Sequence, residues 1–326
     1  GEGEQSRAGR SDQMSALLPQ GGLNITRVCR LSQMPDDPLD SRSRRSEAYA
    51  RSKTRRGEMV KAAANRAFEP ARSFFVEIGE MVILTGRTIG SALRAPYPYG
   101  NEFIGQFLFA LQLCWFPMLI STVAFGFGAP GLQAANFLSL FGALDRLGGF
   151  FVLASIREFA PFVTAVVVAG VAGTAITADL GARKIREELD ALQVLGVDPI
   201  KNLVVPRFLS LMFLTGLLNI FALLFGIFGG VCAMLLYRQP LGGFFGTLFS
   251  NASTTELFFS MTKTTLFGAI IAIVCCYKGM TATGGAAGVG RAVNEAVVIS
   301  LLGVFAFNYV FTQAMLATNP ELQTIK

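Results

Sequence analysis

Five apolar segments, each of more than 20 residues, constrain this sequence more than any other feature. A helix rises about 1.5 Å per residue, so about 20 apolar residues cross the ~30 Å hydrocarbon core of a membrane. Beyond residue 72 only 27 of 254 residues are Asp, Glu, Lys or Arg, too few to cover a soluble body. The sequence therefore predicts an all-α integral membrane protein. The predicted spans are residues 102–142, 147–181, 206–237, 256–278 and 296–317.

Loop charges predict how these spans are oriented. Basic residues are concentrated before the first span and in the loops after the second and fourth, and such loops face the cytoplasm. We therefore expect a multi-pass protein of the cytoplasmic (inner) membrane, with a cytoplasmic amino terminus and a periplasmic or outer carboxyl terminus. A sixth span within residues 131–147 would invert this arrangement, but Asp145 and Arg146 favour an outer turn there.

The region before the first span has two parts. Residues 1–65 combine low hydrophobicity with mixed charge, which predicts a disordered basic cytoplasmic tail. A solvated extension is favoured over contact with anionic lipid headgroups or nucleic acid, and no nucleic-acid partner is expected. Residues 66–95 predict an amphipathic helix in the membrane interface, because apolar residues share one face among several charges. That face consists of Phe75, Ile78, Val82, Ile89 and Leu93.

Small residues recur every four positions in the second span, which permits close helix packing. Packing within the chain and a homodimer seam, or a conduit wall, both remain open. Pro161 predicts a kink in the same span, since it removes a backbone hydrogen bond. The residues assigned to dimer packing are Ala165, Ala169, Gly173 and Thr177.

Arg157 and Glu158 are adjacent residues just before Pro161, within the predicted second span. A charge at such depth is costly, and neighbouring helical positions point about 100° apart, so the two side chains do not neutralise each other on one face. A structural salt bridge and a polar spot in a transport cavity are the two interpretations.

The loop after the second span predicts a short amphipathic helix on the cytoplasmic side. Gly196 is placed to end it, and Asp198 with Pro199 to begin the next helix. Such a helix either lies on the membrane or docks a cytoplasmic partner. Its predicted apolar face is Ile185, Leu189 and Leu192. Its predicted ion pairs are Arg183–Glu187 and Lys184–Glu188.

Several kinds of chemistry are excluded by composition. The sequence has no histidine, which excludes Ser-His-Asp and Cys-His nucleophile systems and histidine-containing zinc sites. The glycine-rich residues 283–292 lack the Lys-Ser/Thr of a phosphate loop and predict a flexible cytoplasmic turn. We therefore expect no enzyme of these kinds and no metal site or cofactor in this chain. If the chain takes part in active transport, the energy must come from another chain.

Two segments of the sequence resemble the MlaE/YrbE family of lipid-transport permeases. The first is REFAPFVTAVVVAGVAGTAITADLGARKIREELDALQVLGVDPIKNLVVPR, which carries the specific element E-x-D-A-L-x-V-x-G-x-D-P, and the second is GGAAGVGRAVNEAVV. The resemblance covers about residues 66–316 and predicts a permease domain over 99–320. The segment ADLGARKIREE is most similar to the A-type YrbE subunits of actinobacterial Mce complexes.

This resemblance implies a fold, a function and partners. The fold has an interfacial elbow helix, five spans and a cytoplasmic coupling helix between spans 2 and 3. The function is ATP-driven transport, here import of fatty acids, sterols or related lipids, through a cavity shared with a second YrbE-type permease. The partners are an ABC ATPase dimer, which binds ATP and Mg, and Mce-domain substrate-binding proteins. A membrane scaffold that does not carry substrate is the alternative.

The resemblance also implies site residues. Arg157 and Glu158 match the pair that borders the family's lipid site, and Phe125, Phe127 and Leu132 occupy cavity-lining positions. The residues assigned to ATPase coupling are Arg186, Glu187, Glu188, Asp190, Leu192 and Gly196.

Overall fold

The computed structural model describes residues 72, 75–94 and 100–319, which are helical and contain no strand. Five of the helices are long and apolar enough to cross a membrane, namely Gly100–Ser139, Leu144–Ile185, Ile200–Leu236, Thr254–Met280 and Gly285–Thr318. The predicted fold class is thereby confirmed. The predicted tail, residues 1–65, and residues 66–71 of the predicted elbow helix lie outside the described residues. The helices are α1 (75–92), α2 (Gly100–Ser139), α3 (Leu144–Ile185), α4 (Glu188–Val194), α5 (Ile200–Leu236), α6 (Leu241–Asn251), α7 (Thr254–Met280) and α8 (Gly285–Thr318).

α5 is the central span and packs against α2, α3 and α7. Glycines bring the α2 and α5 backbones into contact: a Cβ added to Gly126 would lie 2.4 Å from the carbonyl oxygen of Gly226. Such close approach adds van der Waals contact where no water is available to drive association. On its other side, α5 is joined to α7 by a buried hydrogen bond of 3.0 Å from Asn219 Nδ2 to Ser260 Oγ.

The row of small residues in α3 packs inside this chain, so its assignment to a permease-dimer seam is wrong. Ala165, Ala169 and Thr177 are fully buried. A Cβ on Gly173 would lie 2.9 Å from Cys275 Sγ of α7. The Thr177 hydroxyl donates to the carbonyl oxygen of Cys275 at 3.2 Å. α7 therefore already occupies the groove that a second chain would need.

α3 is not a uniform α-helix. It is π-helical over Val152–Phe159 and again over Ala169–Gly173. α-Helical geometry resumes at Ala160, beside Pro161. A π-helical stretch lies on the amino-terminal side of Pro161, and such stretches are often found at functional sites. The kink at Pro161 stays a prediction.

The glycine-rich residues 283–292 are largely helical, so the predicted flexible turn is wrong. Only Gly284 and Gly285, with φ of 88° and 68°, form a left-handed turn. α8 begins at Gly285, eleven residues before the predicted start of the fifth span. Each glycine lowers helix stability by about 1 kcal/mol relative to alanine. Packing nevertheless stabilises the helix here, because every fourth residue along this face is buried. These residues are Gly288, Ala292, Ala296, Ser300 and Val304.

The turn predicted between the first two spans is confirmed. α2 ends at Ser139, and Asp145 and Arg146 lie in a short 3₁₀ turn before α3 continues. The chain therefore does not form a sixth span within residues 131–147 among those described.

α1 has two distinct faces. Met81 and Leu84 are buried, and Glu77 forms an ion pair with Lys278 at the end of α7. The predicted apolar face points outward, as expected of a helix that lies in a membrane interface. Its exposed side chains are Phe75, Ile78, Val82, Ile89 and Leu93.

Candidate functional site

Arg157 reaches from the π-helical stretch of α3 to the first turn of α7. Its Nε donates to Glu256 Oε1 at 2.8 Å, and its Nη2 contacts the same oxygen. The Arg157 and Glu256 side chains are only 14% and 2% exposed. Ser253 Oγ caps α7 by accepting the Glu256 N–H at 3.1 Å. The pair is therefore a buried, hydrogen-bonded link between two spans.

Glu158 points elsewhere and has its own partners. Its Oε2 accepts from Asn308 Nδ2 at 2.7 Å, and its Oε1 accepts from the Thr312 hydroxyl at 2.9 Å, both on α8. Lys263 of α7, only 4% exposed, lies with its Nζ 3.4 Å from Glu158 Oε1. The same ammonium group donates to the carbonyl oxygen of Arg157. Glu158 thus joins α3 to both α7 and α8.

Together these side chains form what we call the charged cluster. Two cations and two carboxylates balance one another, while the polar side chains of α8 donate hydrogen bonds to the Glu158 carboxylate. As expected from their divergent directions, Arg157 and Glu158 each pair with another helix rather than with each other. The cluster consists of Arg157, Glu158, Glu256, Lys263, Asn308 and Thr312.

Sequence reasoning missed four of these residues. Glu256 and Lys263 are seven positions apart and so share a face of α7, and Asn308 and Thr312 share a face of α8 through their four-residue spacing. Charged residues within an apolar segment are themselves a signal of function. That signal was available in the sequence, whereas the pairing between helices was not.

A small apolar groove lies on another side of α3, between α2 and α5. It encloses about 250 Å³ of empty space, including its open mouth. The Phe125 ring packs against Phe159 with 5.4 Å between their centroids, and Phe159 directly follows Glu158. The lining is Thr122, Phe125, Gly126, Pro130, Ser155, Phe159, Ala160, Val163, Ala222 and Gly226.

The predicted substrate residues are therefore divided between two places. Phe125 lines the groove, whereas Arg157 and Glu158 belong to the charged cluster. Phe127 and Leu132 are half-buried in the π-helical part of α2 and do not line the groove. The structure thus brings Phe125 close to the residue that follows Glu158 but does not bring all five side chains together.

A short helix, α4, lies in the loop after the second span, where the sequence predicted one, but the predicted ion pairs are wrong. Glu187 has a left-handed backbone, with φ of 60°, which separates α4 from α3 and breaks the assumed four-residue spacing. The observed pairs are Arg183–Asp179 at 3.2 Å, Lys184–Asp190 at 2.9 Å and Arg186–Glu188 at 2.9 Å.

The ends of α4 follow the sequence prediction. Gly196 has φ of 74°, and the N–H of Val197 donates to the carbonyl of Leu192 at 2.9 Å, which is the hydrogen-bond pattern of a glycine-terminated helix. Asp198 Oδ1 accepts the N–H of Ile200 at 2.9 Å and so caps the start of α5. Both boundaries of the loop are fixed by local backbone chemistry.

α4 offers a charged surface with an apolar tip. Leu189 is buried and Leu192 is half-buried against the core, so they hold the helix in place. Val194 and Leu195, in contrast, are 89% and 75% exposed. Exposed apolar side chains rimmed by charge are typical of protein interaction sites.

Comparison with known proteins shows the family of this chain. The profile of the family described as Permease MlaE matches residues 103–314, which include all five spans in whole or in part. This chain belongs to the MlaE permease family. It is accordingly a multi-pass membrane protein and a transport subunit of the ABC transporter permease type.

Relatives of the MlaE-family chain carry consistent names. A probable ABC transporter permease of Synechocystis sp. is 38% identical over 185 residues, 56% of this chain and 70% of the relative. A probable ABC transporter permease of Rickettsia typhi is 29% identical over 259 residues, 79% of this chain and 99% of the relative. The chloroplastic protein TRIGALACTOSYLDIACYLGLYCEROL 1 of Arabidopsis thaliana is 35% identical over 185 residues, 56% of this chain and 52% of the relative.

Proposed function

We propose that this chain is one permease subunit of an ATP-driven lipid transporter in the cytoplasmic (inner) membrane. It imports a fatty acid, a sterol or a related lipid. The observation that carries the proposal is the charged cluster, which joins three spans of an MlaE-family chain next to an apolar groove and in which Glu158 is 38% exposed. The name of the Arabidopsis relative, which is that of a glycerolipid, is consistent with a lipid substrate.

The energetics of the charged cluster favour a role beyond stability. Replacing a buried ion pair by apolar side chains of similar volume is often neutral or stabilising, and charge within a membrane is costly. A chain that needed only tight packing between α3, α7 and α8 would be served as well by apolar residues. A lipid, however, has a polar end and an apolar end, and α3 presents the cluster on one side and the groove on the other.

We assign the residue roles on this basis. Arg157 and Glu158 provide polar groups beside the lipid path, and Phe125 forms part of its apolar wall. Phe127 and Leu132 lie on the same helix as Phe125 and are assigned to the wall that forms when a second permease chain completes the cavity. That second chain packs on a surface other than the small-residue row of α3, which is buried.

The energy source in this proposal is a separate ABC ATPase dimer that binds ATP and Mg. α4 is its docking element, because the helix is anchored by Leu189 and exposes both charges and the apolar tip of Val194 and Leu195. Mce-domain proteins on the outer side deliver the substrate. The amino terminus is cytoplasmic and the carboxyl terminus lies outside.

Lipid uptake by charge variants tests the proposal. Glu158→Gln keeps a side chain that can bind Asn308 and Thr312 but removes the carboxylate, and Phe125→Asp places a charge on the apolar groove. We expect both to impair uptake of labelled lipid, measured at matched levels of assembled complex. Normal uptake by both variants would remove this site from the transport path.

A double variant tests whether Glu158 acts in transport or only balances the charge of Lys263. Glu158→Gln alone leaves Lys263 without its carboxylate, so a structural defect would be repaired by Glu158→Gln/Lys263→Met, which is again neutral. We expect uptake to stay impaired in the double variant. Full recovery of uptake would show that the pair only stabilises the fold.

A further inference from the structure

A basic cleft lies between α1 and the start of α5, away from the charged cluster and the groove. It encloses about 1300 Å³ of empty space, including its open mouth. Arg87 and Arg94 line it from α1 and the residues that follow, and Lys201 lines it from the first turn of α5. Neither the sequence resemblance nor the family assigns a role to this place.

The charge of the cleft is not balanced by the described residues. Arg87, Arg94 and Lys201 form no ion pair with an acidic side chain in the part of the chain that the structure describes. The one acidic residue of the cleft is Asp198, whose Oδ1 is occupied as the cap of α5 by accepting the Ile200 N–H. Three cations facing one carboxylate attract an anion.

The floor of the cleft leaves room for a ligand against the backbone. Gly86 and Gly90 are one helical turn apart on α1, and a Cβ added to either would meet no atom within 4 Å. Larger side chains at these positions would fill the space between the two arginines. The glycines therefore keep the cleft open where the positive charge is concentrated.

The position of the cleft identifies the kind of anion. At about 100° per residue, the cleft residues lie roughly 100° around α1 from the exposed apolar stripe that includes Val82 and Ile89. Exposed Ile83 is itself one of the cleft residues. Lys201 is the second residue of the membrane-spanning helix α5. The cations thus lie near the first residues of a span, beside a helix face suited to acyl chains.

We propose that this cleft binds the phosphate headgroup of an anionic phospholipid from the cytoplasmic leaflet. The lipid is a bound component of the surrounding membrane and not the transported substrate. Its phosphate lies between the two arginines and Lys201, and its acyl chains run along the apolar face of α1. The proposal does not depend on what passes through the transport cavity.

Binding of short-chain phosphatidylglycerol to the purified complex tests this, with phosphatidylcholine as the zwitterionic comparison. Each basic side chain near a lipid surface contributes a factor of about five in affinity, so Arg87→Gln/Arg94→Gln is expected to weaken phosphatidylglycerol binding about 30-fold and to leave phosphatidylcholine binding unchanged. The conservative variant Arg87→Lys/Arg94→Lys is expected to retain most of the binding.

Two control variants separate the cleft from other parts of the chain. Arg146→Gln/Arg238→Gln removes the same charge from exposed positions in other loops, and Phe125→Asp alters the groove. Neither is expected to change phosphatidylglycerol binding. An equal loss in the Arg146/Arg238 variant would overturn the proposal, because phosphatidylglycerol binding would then depend only on the net charge of the protein. An equal loss in Phe125→Asp would also overturn it, because the bound lipid would then be the transported one.

Two further outcomes contradict the proposal. If inorganic phosphate at millimolar concentration displaced phosphatidylglycerol completely, the cleft would be a site for free anions rather than for lipid. If binding appeared only after the complex had been stripped of its ATPase, the cations would belong to a protein interface.

Discussion

The link between α3 and α7 leads to a quantitative prediction for Arg157→Leu. This substitution removes the only cation bonded to Glu256 Oε1, and Glu256 Oε2 is already buried without a hydrogen bond among the described residues. Because the Glu256 side chain is 2% exposed, it cannot recover solvation from water. Breaking a buried ion pair from one side costs about 3–5 kcal/mol, and we expect the free energy of unfolding to fall by that amount.

A double-mutant cycle measures this in reversible detergent unfolding followed by circular dichroism. Arg157→Leu/Glu256→Leu removes both charges, so its stability is expected to lie within about 1 kcal/mol of the wild type. Arg146→Leu, at an exposed position, is the control and should change stability by less than about 0.5 kcal/mol. A loss below about 1 kcal/mol for Arg157→Leu, or a double variant as unstable as the single one, would refute the buried pair.

Three other predictions concern α4, the α2–α5 contact and the tail. Glu188→Lys/Asp190→Lys is expected to release the ATPase while the spans stay folded, which co-purification and circular dichroism would check; undiminished ATPase in the purified complex would contradict the docking role. Gly126→Ala is expected to lower the free energy of unfolding by about 1–3 kcal/mol through overpacking. Gly226→Ala, whose Cβ meets open space, should lower it by less than about 1 kcal/mol. Equal losses would contradict the close approach of α2 and α5. Deleting residues 1–60, whose sequence is low in hydrophobicity and mixed in charge, is expected to leave the complex intact on gel filtration, and loss of assembly would contradict this.

The sequence predicted the spans and turns well because those depend on local chemistry. A long apolar segment needs only its own length to cross a membrane, and all five appear where expected, apart from the early start of α8. Gly196 and Asp198 were assigned correctly for the same reason, since a left-handed turn and an aspartate cap act on their own backbone.

Features that depend on neighbours in space were harder to predict. The left-handed backbone of Glu187 shifts the register of every later side chain, so Lys184 pairs with Asp190 instead of Glu188. The small-residue row of α3 is equally suited to a second chain or to α7, and only the position of Cys275 decides between them.

The same limit applies to the candidate site. The sequence identified Arg157 and Glu158 as charges that need partners, but two helices far away in the chain, α7 and α8, supply those partners. Lys263 and Asn308 are separated from Glu158 by more than 100 residues. Only the packing of α7 and α8 against α3 brings them together.

The most direct test of the account is mass spectrometry of the intact complex purified through this chain, with identification of its subunits and bound lipids. We predict an ABC ATPase, a second permease chain and a lipid that is lost from the complex carrying Phe125→Asp. A chain that purifies without an ATPase and without bound lipid would contradict the central claim that it is the permease of an ATP-driven lipid transporter.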